Sequence, residues 1–221
     1  MSLIVQTPIY KEIYNGIYKG FSKGIYGVCK GISKGVYNTL FVNANAILPN
    51  LWLGNLKSAH DSRFLEENEI DIVINCTAEY PFVEAGNKKY YFDSSNSTIV
   101  SYDNNDNNKV ITAVRIPVYD SKLEKDIILM EQYLKIIIPF IYREYVINKK
   151  KILIHCYAGK QRSAIVVAAF LYMYKGLSPK TIDNYHDVFQ YITHKRPQAF
   201  TYGLRINFLK TFLRFFELEG E

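Results

Sequence analysis

The segment His155-Cys156-Tyr157-Ala158-Gly159-Lys160-Gln161-Arg162-Ser163 holds a cysteine and an arginine six positions apart across a glycine-containing turn, directly after the apolar run Ile152-Leu153-Ile154. A short loop between a buried strand and a helix can aim successive backbone N–H groups inward, and the helix N-terminus adds partial positive charge. Such a loop is an anion cradle, and phosphate fits it. In the same field a cysteine ionises well below its ordinary range and is a thiolate at neutral pH. Arg162 is planar and permanently charged, so it can grip two phosphate oxygens and follow them as phosphorus becomes trigonal in a transition state.

These residues resemble the signature of the cysteine-based protein phosphatases, and the continuation Ser163-Ala164-Ile165-Val166-Val167-Ala168-Ala169-Phe170-Leu171 is most similar to the dual-specificity branch. The likeness reaches upstream through Leu51-Trp52-Leu53-Gly54-Asn55, Ala59 and Ile70-Asp71-Ile72-Val73-Ile74-Asn75, and downstream to Arg196-Pro197 and the terminal apolar helix. It covers about residues 43–218. The resemblance implies hydrolysis of phosphotyrosine and phosphoserine/threonine monoesters on protein substrates through a cysteinyl-phosphate, with no metal or other cofactor. Cys156 is then the nucleophile and Arg162 the phosphate clamp, and Asp120, ending the run Arg115-Ile116-Pro117-Val118-Tyr119-Asp120, matches the family's general acid. The plain structural alternative for Asp120 is an Asx turn with Ser121. Glu124 and Asp126 are runner-up acids, and Asp126 suits a cap on the helix that follows.

By the same resemblance Ser163 hydrogen-bonds the departing thiolate, its bland alternative being a helix-start hydroxyl. His155 braces the loop, and Tyr157, Ala158, Gly159, Lys160 and Gln161 line the phosphate site with it. Lys160 is similar to a lysine of phosphoinositide-directed relatives, which keeps inositol lipids as an alternative substrate, although Tyr157 stands where those enzymes usually carry a second lysine. Relatives that act on RNA 5′ ends carry histidine and asparagine in the loop; both are absent here, and no nucleic-acid partner is expected. Family members often follow the Arg-Pro pair with an asparagine-containing turn, whereas this chain has Gln198-Ala199-Phe200-Thr201-Tyr202-Gly203, which leaves the outer bracing of the site open. A reading from a different class is a catalytically idle phospho-binding or membrane-scaffold protein.

To position these residues the sequence offers alternating strands and helices. A short hairpin is expected at Asn45–Leu48 and Leu51–Leu53 around Pro49-Asn50, a helix over Ser58–Asn68, and a buried strand over Ile70–Cys76. Residues 94–108 are polar and nearly patternless and read as a surface insertion. A strand over Val110–Val118 follows, then a long helix over Asp126–Ile147 interrupted near Pro139, and the strand Ile152–His155. After a helix from Arg162 to Tyr174, Ser178-Pro179 reads as an N-cap with proline at the first position of a helix to about Lys195. The last helix spans Gly203–Leu218 and buries Leu204, Phe208, Leu209, Phe212 and Phe216. The fold class is α/β, a mostly parallel central sheet covered by helices on both faces.

Composition sets the bounds. The chain has 221 residues, 48% of them apolar, enough for one sizeable core with an appendage: a segment over residues 1–42 and a domain over 43–221. Three cysteines without paired spacing argue against a disulfide framework and for a reducing, cytoplasmic setting. Cys76 ends a buried strand and reads as packing; Cys29 falls in the N-terminal segment. No apolar run is long enough to span a bilayer, so the protein should be soluble or at most peripheral on a membrane.

Residues 1–40 carry Lys11, Lys19, Lys23, Lys30 and Lys34 against Glu12 alone, so +4 of the chain's net +6 lies there. The segment is also a repeat of apolar, polar, Lys and Gly units, as in Ile17-Tyr18-Lys19-Gly20 and Ile32-Ser33-Lys34-Gly35. Helical, it would be amphipathic and basic, yet each interior glycine costs about 1 kcal/mol relative to alanine, so it needs a partner surface to persist. An anionic membrane, self-association with a second copy, and a flexible tail are the three open readings.

Overall fold

The computed structural model describes residues 42–80, 87–92, 99–103, 111–201 and 208–218. The N-terminal repeat, including Cys29, and Leu204 lie outside these residues. The described chain forms one seven-stranded sheet in the order β1-β2-β7-β3-β6-β4-β5. Its strands are β1 (Ala44–Leu48), β2 (Leu51–Gly54), β3 (Ile72–Asn75), β4 (Asn87–Phe92), β5 (Ile99–Asp103), β6 (Ile111–Arg115) and β7 (Ile152–His155). The five central strands, β2-β7-β3-β6-β4, pair parallel, and an antiparallel strand closes each edge. The expected mostly parallel sheet is therefore present.

Side-chain alternation along the central strands divides the core in two. Leu51, Leu53, Ile72, Ile74, Ile152 and Ile154 face the larger cluster, while Trp52, Val73 and Leu153 face the smaller. A period of two on strands buried on both faces yields this division. The smaller cluster is covered by two short helices, α1 (Leu56–Ala59) and α2 (Ser62–Glu67), which contribute Ala59, Phe64 and Leu65. The larger lies under α3 (Glu124–Tyr142), α4 (Arg162–Met173), α5 (Tyr185–Lys195) and α6 (Phe208–Phe215). Helix α4 runs through the middle of this layer, with every residue from Arg162 to Leu171 buried. That explains an apolar sequence without a polar face.

The hairpin turns at Pro49-Asn50, with Asn50 at φ 65°, a left-handed conformation asparagine tolerates. Four expectations are corrected. The span Ser58–Asn68 is two helices rather than one, because Asp61 takes the Phe64 N–H on its side chain and starts α2 afresh. The stretch 94–108 is not structureless throughout: Ile99–Asp103 is β5, paired with a β4 that the sequence reading did not foresee. Backbone pairing at a sheet edge has supplied a strand where the polar pattern announced none. Helix α3 passes through Pro139 without a break and loosens only afterwards, into a wider turn over Arg143–Ile147. Pro139 lies on the exposed side, where water can take the carbonyl freed by its missing N–H. Finally, Ser178-Pro179 does not open a helix. The chain makes one tight turn at Lys175–Leu177, and α5 begins at Tyr185 behind a capping box in which Asn184 and Asp187 satisfy each other's backbone N–H groups.

The terminal helix α6 buries Phe208, Phe212 and Leu213 and half-buries Leu209. Phe212 sits among Tyr172, Phe189 and Phe216 with ring centroids 4.8–5.5 Å apart, edge-on or tilted, as aromatic quadrupoles favour. Among the described residues no helix is long and apolar enough to cross a membrane.

Candidate functional site

Strand β7 ends at His155 and α4 begins at Arg162, so Cys156–Gln161 is the turn joining a central parallel strand to the most buried helix. Gly159 makes the turn possible. Its φ is +65°, and a Cβ there would press into the Gly54 carbonyl and stand 2.6 Å from Arg196 Nη2. The loop is gripped from outside. Arg196 Nε donates to Gly159 O at 2.8 Å and Nη1 to Asn45 Oδ1 at 2.7 Å, and the Phe200 N–H donates to Lys160 O at 2.8 Å. With these carbonyls drawn outward, the N–H groups of the same loop are free to turn inward. Here the outer bracing left open by the sequence is found: it comes from Arg196 and from the backbone of Phe200, itself at φ 60°.

Cys156 is buried, and burial alone would push its thiol up. The Arg162 charge, the Ser163 hydroxyl and the backbone N–H groups of Ser163 and Lys160 outweigh that and hold it below its ordinary value. The Ser163 Oγ donates to Cys156 Sγ at 3.2 Å. Cys76 is equally buried on the neighbouring strand end and behaves oppositely: burial raises its thiol, the adjacent Cys156 raises it further, and Arg162 compensates only in part. The packing role read for Cys76 fits a thiol that stays neutral. His155 Nδ1 donates to Cys156 O at 3.4 Å, and burial depresses the imidazole to about 3, so the ring is neutral.

Arg162 is 2% exposed and lies among three oxygen acceptors. Nη1 donates to Val118 O at 2.9 Å and to Glu79 Oε2 at 2.8 Å, and Nη2 stands 3.6 Å from Asp120 Oδ2. Burial opposes its charge, but the Cys156 thiolate, Asp120 and Glu79 more than restore it. Nε is buried with no hydrogen-bond partner. A buried donor without a partner calls for an explanation beyond packing.

The structure brings Asp120 to the arginine rather than into an Asx turn. The Ser121 hydroxyl donates to Asp126 and accepts the Leu123 N–H, leaving the Asp120 carboxylate 55% exposed over the site. Asp126 is buried in the first turn of α3, anchoring the loop through Ser121, while Leu123 is the N-cap residue. Glu124 is turned away, paired with Lys210 and Arg214 of α6. Neither runner-up acid faces the thiolate. Tyr157 is 55% exposed and stacks on Tyr80, with ring centroids 4.9 Å apart and planes at 17°. Ala158 and Lys160 are half-buried, and Gln161 is buried with neither side-chain polar atom hydrogen-bonded.

Sequence reasoning missed the loop after β3. Asn75 Oδ1 accepts the N–H and hydroxyl of Thr77, and Arg115 donates through Nε to Thr77 O at 3.0 Å and through Nη2 to Ala78 O. This bracing delivers Glu79 to Arg162 and Tyr80 to Tyr157. The one sequence signal was Asn75-Cys76-Thr77 at the end of a buried strand, polar residues where burial demands hydrogen bonds.

Residues 51–216 match the family model of the dual specificity phosphatase catalytic domain. Among solved structures, human DUSP28 is similar at 19% identity and a TM-score of 0.56, covering 82% of this chain and 97% of its own. The human tyrosine phosphatase-like serine/threonine/tyrosine-interacting protein is similar at 20% identity and a TM-score of 0.54, covering 80% and 97%. OH1 from the Orf virus, described as a tyrosine phosphatase with triple substrate specificity, is similar at 18% identity and a TM-score of 0.52, covering 80% and 88%. At these identities the structural likenesses speak to the fold.

Proposed function

The chain belongs to the dual specificity phosphatase catalytic-domain family and is a protein phosphatase, and from that premise we propose that Cys156, Arg162, Asp120 and Ser163 carry its reaction. The Cys156 thiolate attacks phosphorus, and the sulfur–phosphorus bond forms as the ester oxygen leaves with the proton of Asp120. The Nε–Nη2 edge of Arg162 and the loop N–H groups hold the three equatorial oxygens while charge spreads over them. In the second step Asp120, now a carboxylate, takes a proton from water; the water oxygen bonds phosphorus, and sulfur departs as a thiolate that the Ser163 hydroxyl stabilises. Phosphate is released and the thiolate restored. His155, Ala158, Gly159, Lys160 and Gln161 form the cradle.

The observation that carries this reading is the convergence on Arg162: a thiol whose ionisation is held below its ordinary value on one side and a carboxylate 3.6 Å away on the other, delivered by different elements. Tyr157 with Tyr80 gives the mouth an aromatic wall, which suits an aryl phosphate better than an inositol headgroup. The test is hydrolysis of p-nitrophenyl phosphate by the purified protein in the presence of chelator, with inhibition by vanadate and complete loss in Cys156→Ser. Turnover abolished by chelator, or retained by Cys156→Ser, sinks the assignment.

Residues 1–42 are proposed as a separate basic segment that contacts anionic membrane or a second copy of the chain. Helix gained by a peptide of residues 1–40 on anionic vesicles supports the membrane contact; an unchanged circular dichroism spectrum removes it.

A further inference from the structure

Four large apolar side chains are more than half exposed among the described residues: Tyr119 at 53%, Leu123 at 55%, Tyr157 at 55% and Ile147 at 63%. Three of the four border the reacting groups. Tyr119 precedes Asp120, Leu123 heads α3 just after it, and Tyr157 follows Cys156. Single exposed apolar residues are ordinary on a folded surface, but their gathering round one opening is not.

The two sides of that opening are joined into an arc. The Tyr157 ring stacks on Tyr80 with centroids 4.9 Å apart, and the Tyr157 carbonyl accepts the Leu56 N–H at 3.1 Å. Glu79, next to Tyr80, accepts the Asp120 N–H at 3.4 Å, which sets Tyr119 at the far end of the same arc. Val118 is fully buried with its carbonyl on Arg162, so the chain passes from inside to outside at Tyr119. The Ser121 hydroxyl accepts the Leu123 N–H at 3.2 Å and holds that residue at the head of α3. Walls fixed in this way lose little freedom when a chain is laid on them.

Continuity with the phosphate site says what covers the arc. A phosphorylated side chain has to enter at its centre, and the residues beside it in an extended segment, spaced about 3.3 Å apart, must then cross the mouth. Charge offers no rival rule. The arc holds the Asp120 and Glu79 carboxylates, both beside Arg162, together with the exposed Lys122, and not a row of one sign.

We propose that Tyr119, Leu123 and Tyr157 form an apolar rim that seats aliphatic or aromatic residues next to the phosphorylated residue of a protein substrate, so that the enzyme selects apolar flanking sequence. This rests on the assignment of Cys156, Arg162 and Asp120 above. The test compares p-nitrophenyl phosphate with three phosphotyrosyl peptides whose flanking residues are leucine, glutamate or serine. For the wild type, kcat/KM on the leucine-flanked peptide exceeds that on the other two by roughly tenfold. The difference lies in KM, because the contacts are away from the bond that breaks. In the double variant Tyr119→Ser, Leu123→Ser the leucine-flanked peptide falls to the level of the serine-flanked one, while turnover of p-nitrophenyl phosphate stays within about twofold. Both side chains are at the surface, and serine is a favourable residue at the N-cap that Leu123 occupies, so the variant melts as the wild type does. A wild type that hydrolyses p-nitrophenyl phosphate and treats the three peptides alike overturns the proposal and leaves the site assignment standing. A variant that loses all four substrates in proportion also overturns it, since the two residues would then be supporting Asp120. So does a dimer in sedimentation that the variant dissolves without any change in peptide preference, which would make the rim a contact with a second copy. A wild type without turnover overturns the site assignment itself, and this proposal with it.

Discussion

Replacing Ser163 by alanine isolates one contribution to the thiolate and should reveal the covalent intermediate. The Ser163 hydroxyl donates to Cys156 Sγ at 3.2 Å and is fully buried, so water cannot take its place. A hydrogen bond to an ionised group contributes about 1.5–3 kcal/mol. In the first step the sulfur loses its negative charge as it bonds phosphorus, so the missing hydroxyl costs little there. In the second step sulfur must leave as an anion, and the whole deficit falls on that barrier: at 1.36 kcal/mol per decade, a slowing of roughly ten- to a hundredfold. Ser163→Ala should then release nitrophenol in a burst of about one equivalent per site, followed by slow turnover as the cysteinyl-phosphate accumulates. The hydroxyl favours the charged sulfur, so its removal moves the midpoint of iodoacetamide alkylation to higher pH. Stopped-flow absorbance measures the first effect and alkylation at graded pH the second. A variant with wild-type turnover, no burst and an unmoved alkylation midpoint would refute the reasoning.

Asp120→Ala should lose on the order of 10²–10⁴ in kcat, with the larger loss on substrates whose leaving oxygen is more basic, while substrate binding persists. An equal loss across leaving groups would argue that Asp120 is no acid. Arg196→Met removes the donors to Gly159 O and Asn45 Oδ1 and strands the buried Gly159 carbonyl at a cost of about 1–3 kcal/mol. It should lower the melting temperature and weaken inhibition by phosphate together; a stable variant with intact phosphate affinity contradicts the bracing role. His155 is depressed from 6.5 to about 3 by burial, so the unfolded chain binds a proton that the folded one refuses. That contribution to stability is complete above pH 6.5 and is lost as pH falls toward 3. His155→Gln should flatten the melting profile across that window, and a profile of unchanged slope rejects the assignment.

The reactive loop was legible because everything that makes it is local. Gly159 must be glycine for its φ of +65°, Ser163 falls on the first turn of α4 beside the sulfur, and the apolar run before Cys156 is the strand β7 with the expected bounds. Asp120 was legible only through the family pattern, since nothing in its neighbourhood separates an acid from an Asx turn. Where local pattern was misread, a stronger local device had been overlooked: Asp61 restarts a helix, and the Asn184–Asp187 capping box sets the beginning of α5 that Ser178-Pro179 seemed to announce. The strand β5 inside a polar stretch had no such device, because its pairing is with a partner outside its own residues.

By itself the sequence determined the chemistry of the loop, the alternation that builds a parallel sheet buried on both faces, and the basic repeat at the N-terminus. Sterics, helix dipoles and side-chain period act over a few residues and can be read there. The tertiary structure decided which distant groups complete the site: Glu79 meets an arginine 83 positions later, and Arg196 closes on a glycine 37 positions earlier. A glutamate at a strand end and an arginine after a helix carry no mark of their targets. Strand order brings them within hydrogen-bond reach of buried partners, where water screens little.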